Sequence, residues 1–514
     1  MQPSHSLDIR SLARVAPWLF LFAFALRIAN LDAESLWRDE VDAVRFALQP
    51  METLLARFTE TGFNGPLYHI LLRGWFALVG VSDFALRYFS LMAGVVLVAL
   101  IYVLGRRLFG ELVGWLAAWL AALSPALVWY AGEGKMYTLQ PALLTLALYA
   151  LLRAIGKGGQ TATLPTRTPL VWWATFVVAT SLSFYVQLLS PLFLAVAASF
   201  FLAAWPAARH ALRPGATALA LLTLPYLPLL AWQAPILIQG GDIGHAFYPL
   251  DQIAWGLMVI WSFGIDPHAP LWPGVSPVTL LTVRLAWVAV TVIVVSAGLA
   301  SIASRIPQRA QSLRWALALL AWLALPSLLL FLVSLRLPLF QPRYVLWSAP
   351  ALYLLLAMGL AHLLTQRPLV GWLTVSAASM VALSGVAAQW LHPIRPDLRG
   401  AIACLLQRAQ PGDAIAFQIP YARHSFAYYA AQMGYASAEF RLIEAPYTNR
   451  GMSYDELAAL MSALTSEAQR VWLFETEATM WDSRRMVRHW FDASLALVER
   501  CEGRAVEVGL YRPK

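Results

Sequence analysis

Long apolar runs separated by short polar segments dominate the chain up to residue 389. A helix that crosses a bilayer needs about 20 mostly apolar residues. Runs of that kind lie at 15–31, 84–104, 112–130, 138–153, 170–187, 189–205, 216–233, 277–299, 314–334, 345–364 and 369–388, which predicts about eleven transmembrane helices. As one helix, 169–205 would extend roughly 55 Å at about 1.5 Å per residue. It is therefore expected to turn back near Gln187 to Pro191. The run 66–80 is short, carries Arg73 in its middle, and reads as an interfacial helix.

Beyond residue 389 the pattern changes. Charge rises and apolar runs shorten, and strand-like pieces (414–419, 471–474, 505–511) alternate with helical ones (397–409, 453–467, 482–493). The expectation is a transmembrane module over 1–389, containing a long first loop at 32–83, followed by a small α/β domain over 390–514. That domain has neither a glycine-rich phosphate loop nor zinc-type cysteine spacing. Cys404 and Cys501 are the two cysteines, leaving either one disulfide or none.

Composition agrees with a bilayer environment. The chain is 60% hydrophobic and 13% charged, against roughly 45–50% and 25% in soluble domains. The net charge of +9 does not point to nucleic acid, because the basic residues sit in short clusters between apolar runs. These clusters (Arg10 and Arg14; Arg106 and Arg107; Arg153, Lys157 and Arg167; Arg209 and Arg213; Arg305, Arg309 and Arg314; Arg367) fall on one side of the predicted bundle. The positive-inside tendency then puts the N-terminus in the cytoplasm and 390–514 outside, in a multi-pass protein of the plasma (inner) membrane. The first apolar run leads straight into Asp32 and Glu34 without a small-residue cleavage site, so it is expected to remain as the first span.

Three loops on the outer side carry chemistry-bearing residues. The first opens with five carboxylates in eleven residues, Asp32, Glu34, Asp39, Glu40 and Asp42. Charges beside the hydrocarbon are costly and usually functional, although Asp39 and Glu40 could simply begin an amphipathic helix and favour its positive end. The second, YAGEGKMY, strands Glu133 and Lys135 between apolar runs; the plainer reading is a snorkelling lysine and a surface glutamate. The third, RLPLFQPRYVLWSAP, places Arg336 and Arg343 against the positive-inside tendency, where lipid headgroups or a lipid-borne phosphate would meet them. Together these suit group transfer from a lipid phosphate. A carboxylate takes the acceptor's proton, and cations or a metal stabilise the departing phosphate. Asp242, His245, Asp251, Asp266 and His268 of loop 234–276 could shape the acceptor side, but are too scattered to define a metal site, so a divalent metal stays open.

The sequence resembles the polytopic GT-C glycosyltransferases, and is similar to the bacterial relatives of protein O-mannosyltransferases and of lipid A aminoarabinose transferases. The resemblance is carried by SLWRDE after the first run, GPLYHILLRGWFALVGVSDFALRYFSLMAG, YVLGRRLFG, LSPALVWYAGEGKMYTL and FQPRYVLWSAPALYLLLAMGL, in that order. It implies a polyprenyl-phosphate-linked sugar donor and an extracytoplasmic acceptor that is protein, lipid or glycan. It also implies an inverting displacement with Asp39 as base and Glu40 beside it. Glu133, Lys135, Tyr137, Arg343 and Tyr344 match the family's residues around the donor phosphate. Many relatives carry a basic residue and two prolines where this chain has Asn64-Gly65-Pro66. The alternative is a transporter or flippase of lipid-linked sugars, which would use the same cations without a base. It fits less well, because neither an internal repeat nor a mid-span charge is evident.

Overall fold

The computed structural model describes residues 9–58, 64–156, 168–205, 207–239, 246–264, 276–304 and 310–514. Lys157, Arg167, Arg305 and Arg309 of the cationic loops lie outside the described residues, as do Asp242, His245, Asp266 and His268. The chain divides into two compact units. The first comprises Met1–Leu31, Gln49–Gly80 and Ala85–His392; the second comprises Asp32–Leu48, Val81–Phe84 and Pro393–Lys514. The expected first loop, 32–83, is thus divided. Its opening segment and the residues just before the next long helix group with the C-terminal residues, because the partners of their polar side chains lie there.

The first unit is a helical bundle. Among the described residues, six helices are long and apolar enough to cross a membrane, or seven if one bent pair counts as a single span. The six are Asp83–Phe109, Ala208–Ala231, Pro277–Ala303, Ala310–Ser334, Pro342–Gln366 and Pro368–Leu391. Ile9–Ile28 is helical over 20 residues, while Leu139–Ile155, Leu170–Phe184 and Ser190–Ala203 are apolar but shorter. Helix Thr168–Phe184 stops before Gln187, and a 3-10 turn at Ser190–Leu192 leads into helix Phe193–Ala203. Helix Leu67–Val79 has 13 residues, about 20 Å at 1.5 Å per residue, too short for a hydrocarbon core about 30 Å thick.

Close helix contact in the bundle depends on small residues, as expected where lipid supplies no hydrophobic force between helices. A Cβ at Gly359 would lie 2.2 Å from the Val294 carbonyl oxygen, so helices Pro277–Ala303 and Ala349–Gln366 meet backbone to backbone there.

The second unit is built on a five-stranded mixed sheet: β1 Ala414–Phe417, β2 Arg441–Glu444, β3 Val471–Thr476, β4 Leu495–Gly503 and β5 Val506–Pro513, in spatial order β2-β1-β3-β5-β4. β1 pairs in parallel with β2 and β3, whereas β5 pairs antiparallel with β3 and β4. Ala416, Leu473, Leu457 and Phe491 pack on one face of the sheet, and Phe417, Phe426 and Phe474 meet on the other. A disulfide joins Cys404, on helix Leu398–Arg408, to Cys501 on β4, with a Cα–Cα distance of 6.0 Å.

Candidate functional site

In the first unit, the site begins with a broken helix. Glu111–Leu123 and Pro125–Ala131 are bent by 61° at Ser124. Pro125 has no N–H to give the Ala121 carbonyl, and the bend withdraws the next helical donor from Ala122. Arg27 supplies both: Nη2 donates to the Ala121 oxygen at 3.1 Å and Nη1 to the Ala122 oxygen at 3.0 Å. Arg27 is buried, and among the described residues no ion pair to it is found. Ser124 caps the outgoing helix by accepting from the Leu127 N–H, and its hydroxyl meets the Tyr353 hydroxyl at 2.5 Å. Arginine and tyrosine from two other helices therefore set the angle at which the chain leaves for the loop Gly132–Thr138.

That loop carries Glu133, Lys135 and Tyr137. Ser90 of helix Asp83–Phe109 donates to the Lys135 carbonyl at 2.9 Å and accepts from the Tyr68 hydroxyl at 3.2 Å. Thr138 in turn donates to the Ser90 carbonyl at 2.6 Å. Glu133 and Tyr137 are buried, and Lys135 is half-buried. The Arg343 guanidinium, from the 3-10 stretch Pro342–Ser348, lies 5.6 Å from the Tyr137 ring centroid and 5.8 Å from that of Tyr344. Tyr130 packs edge-on to Tyr137 at 5.5 Å and lies within electrostatic reach of both Glu133 and Arg343. Glu133, Tyr137, Arg343 and Tyr344 thus meet around one aromatic cluster, and Lys135 shares their loop.

His69 joins them without having been singled out from the sequence. Its Nε2 is sealed from solvent, and burial, reinforced by the positive Lys135, pushes its pKa down to about 3. The imidazole is therefore neutral beside a lysine at physiological pH. Its position follows from the Asn64-Gly65-Pro66 turn. A Cβ at Gly65 would lie 2.1 Å from the Tyr185 carbonyl oxygen, and that same oxygen accepts from the Leu67 N–H at 3.1 Å. The Asn64 side chain accepts from the Leu188 N–H at 3.4 Å. The departure from the basic-proline pattern therefore belongs to a close backbone crossing that pins the start of helix Leu67–Val79.

In the second unit the five carboxylates take different roles. Asp32 pairs with Arg399 at 3.1 Å. Glu34 lies 3.6 Å from Arg395 and 3.4 Å from Arg504. Asp42 pairs with Arg45, three residues on. Glu40 is fully buried and accepts from the Trp37 N–H at 3.3 Å, which fastens the first turn of helix Arg38–Leu48. Asp39 remains partly exposed, with its Oδ1 3.2 Å from Arg38 Nε. Asp83, the last residue of the expected first loop, is buried among Arg399, Tyr428 and Tyr429 at 2.7–2.8 Å. Asp251 stands exposed in helix Leu250–Phe263, and among the described residues no group of His, Cys, Asp or Glu could hold a metal ion.

A multi-helix membrane bundle together with a small mixed α/β unit, with a charged loop at the end of a broken helix, defines the class of architecture. The family described as Dolichyl-phosphate-mannose-protein mannosyltransferase matches residues 64–232, the segment holding the broken helix, Glu133 and Lys135. ArnT from Cupriavidus metallidurans bound to undecaprenyl phosphate superposes with a TM-score of 0.54 at 13% identity, covering 96% of this chain and 98% of that one. The archaeal oligosaccharyltransferase AglB from Archaeoglobus fulgidus, in complex with an inhibitory peptide and a dolichol-phosphate, gives 0.57 at 12% identity, covering 93% and 71%. No curated protein matches the sequence significantly. The family model covers residues 64–232 of the 514, and the superpositions show that the chain shares the fold of these membrane proteins along nearly its whole length.

Proposed function

We propose that the protein transfers a sugar from a polyprenyl-phosphate donor to an extracytoplasmic acceptor by a single inverting displacement. The observation that carries this reading is the meeting of Arg343 with Tyr137, Tyr344 and the Glu133–Lys135 loop at the end of a broken helix. One cation held against aromatic rings, and a second on a loop fastened by backbone hydrogen bonds, suit a phosphate that binds with little reorganisation. The lipid phosphates bound to two proteins of the same fold support that choice of ligand.

In the reaction, an acceptor hydroxyl attacks the anomeric carbon and gives its proton to the Asp39 carboxylate. The bond from the anomeric carbon to the phosphate oxygen breaks, and the electron pair leaves with polyprenyl phosphate. Lys135 and Arg343 carry the growing negative charge. Glu133 limits the local excess of positive charge, and Glu40 fixes the helix that bears Asp39. The acceptor is a protein, lipid or glycan hydroxyl, and transfer takes place on the outer face of the plasma membrane. The Cys404–Cys501 disulfide supports that orientation, because such bonds persist in oxidising compartments.

The test is turnover in proteoliposomes supplied with a polyprenyl-phosphate sugar. The wild-type protein consumes the donor, and Asp39→Asn loses roughly 10²- to 10⁴-fold in rate, the range for a general base. Near-normal turnover in Asp39→Asn would remove Asp39 from the chemistry. Donor that crosses the bilayer without being consumed would make the protein a transporter.

A further inference from the structure

Residues 393–514 have no assigned task, yet one of their contacts with the segment bearing Asp39 runs through Arg38, the residue beside it. Arg38 Nε lies 3.2 Å from Asp39 Oδ1, and its Nη1 lies 3.5 Å from Glu477 Oε2. The same guanidinium donates to the Tyr421 hydroxyl and lies 5.0 Å from the centre of the Tyr421 ring. Tyr421 is braced edge-on by Trp481 at 5.8 Å, and Trp481 by Tyr447 at 5.0 Å. We infer that Glu477 and Tyr421 hold Arg38, and that Arg38 positions the Asp39 carboxylate, so that residues 393–514 act on the reaction through that one side chain.

Two observations support a positioning device over an incidental surface pair. Arg38 is a fork that reaches two carboxylates and a phenol at once, which a lysine ammonium on a flexible stem would not reproduce. Glu477 follows β3 and adopts a left-handed backbone, with φ of 47°. A residue with a Cβ is held there at an energetic cost, a kind of strain that clusters at functional positions. Without Glu477 the guanidinium is free to follow Asp39 or leave it, and the carboxylate loses its fixed direction.

The inference rests on the reading of Asp39 as the base. Steady-state transfer is measured for wild type, Glu477→Gln, Arg38→Lys, Asp39→Asn and the Asp39→Asn/Glu477→Gln double variant, with thermal melting of each. Glu477→Gln and Arg38→Lys are expected to lower kcat roughly 10- to 100-fold, as misplacement of a reacting group does. The donor KM stays unchanged, because Lys135 and Arg343 are untouched. In the double variant the Glu477 substitution slows the residual Asp39→Asn rate no further, because residues acting as a unit are not additive. That readout holds even if Glu477→Gln melts lower, since a general loss of folded protein would multiply the two effects. Normal kcat in Glu477→Gln with an inactive Asp39→Asn, or multiplicative losses in the double variant, overturns the clamp and leaves Asp39 as the base. Normal turnover in Asp39→Asn overturns both.

Discussion

At the scale of single residues, side-chain identity was legible and partnership was not. The run Asp32 to Asp42 announces itself as costly charge beside an apolar helix. Some of these acids find their partners far away in sequence: the Glu34–Arg395 contact spans 361 positions. Asp32, Glu34 and Asp42 pair with arginines, Glu40 caps a helix and Asp39 meets Arg38, and most of these partners become visible only in the fold. His69 was hidden for the same reason, since nothing in PLYH marks it as a neighbour of Lys135. Its behaviour is testable. With a folded pKa near 3 against 6.5 unfolded, the unfolded chain binds a proton between those values that the native site refuses. Stability tied to this residue is therefore present above pH 6.5 and is lost as pH falls, by about 1.4 kcal/mol per unit. Melting of purified protein is expected to decline less steeply below pH 6.5 in His69→Gln than in wild type. Parallel pH curves would show that His69 is not buried neutral.

At the scale of elements, helices were easier to read than strands or bends. The apolar runs fall on helices, with 112–130 divided between two of them, and the turn near Gln187 follows from length alone. Among the described residues, length and composition nevertheless qualify six or seven helices as spans, fewer than the eleven runs; Leu139–Ile155 and its shorter neighbours end early. Strands β2 and β4 and the helix Ala422–Gln432 escaped notice. β2 has four residues at a sheet edge with one buried side chain, and β4 is mostly exposed, so neither shows the alternation that burial imposes. The 61° bend could be suspected from Ser124-Pro125, but its brace from Arg27 could not. Arg27→Met leaves the Ala121 and Ala122 carbonyls without their side-chain donors inside the bundle, where each unsatisfied group costs about 1–3 kcal/mol. The expected result is a lower melting temperature and slower transfer, with Arg27→Lys intermediate because one ammonium copies the fork poorly. Unchanged melting and transfer in Arg27→Met would mean the bend is held by Ser124 and Tyr353 alone.

At the scale of the whole molecule, the chain separates into a bundle carrying the cations and a smaller unit carrying the acids. The change in composition near residue 390 foretold a second unit. It could not foretell that residues 32–48 would belong to it, because their contacts are long-range and polar, not part of any apolar pattern. The two halves of the proposed chemistry are thus encoded in separate units: Lys135 and Arg343 by a broken helix and a 3-10 turn, Asp39 by a capped helix clamped through Arg38. The account requires both to serve one phosphate. The most direct measurement is a cryo-electron microscopy structure of the protein in lipid nanodiscs with polyprenyl phosphate bound. The account predicts the phosphate hydrogen-bonded to Lys135 and Arg343, with the Asp39 carboxylate facing the space where the sugar would sit. A phosphate bound elsewhere, or an Asp39 carboxylate turned away from it, would contradict the account.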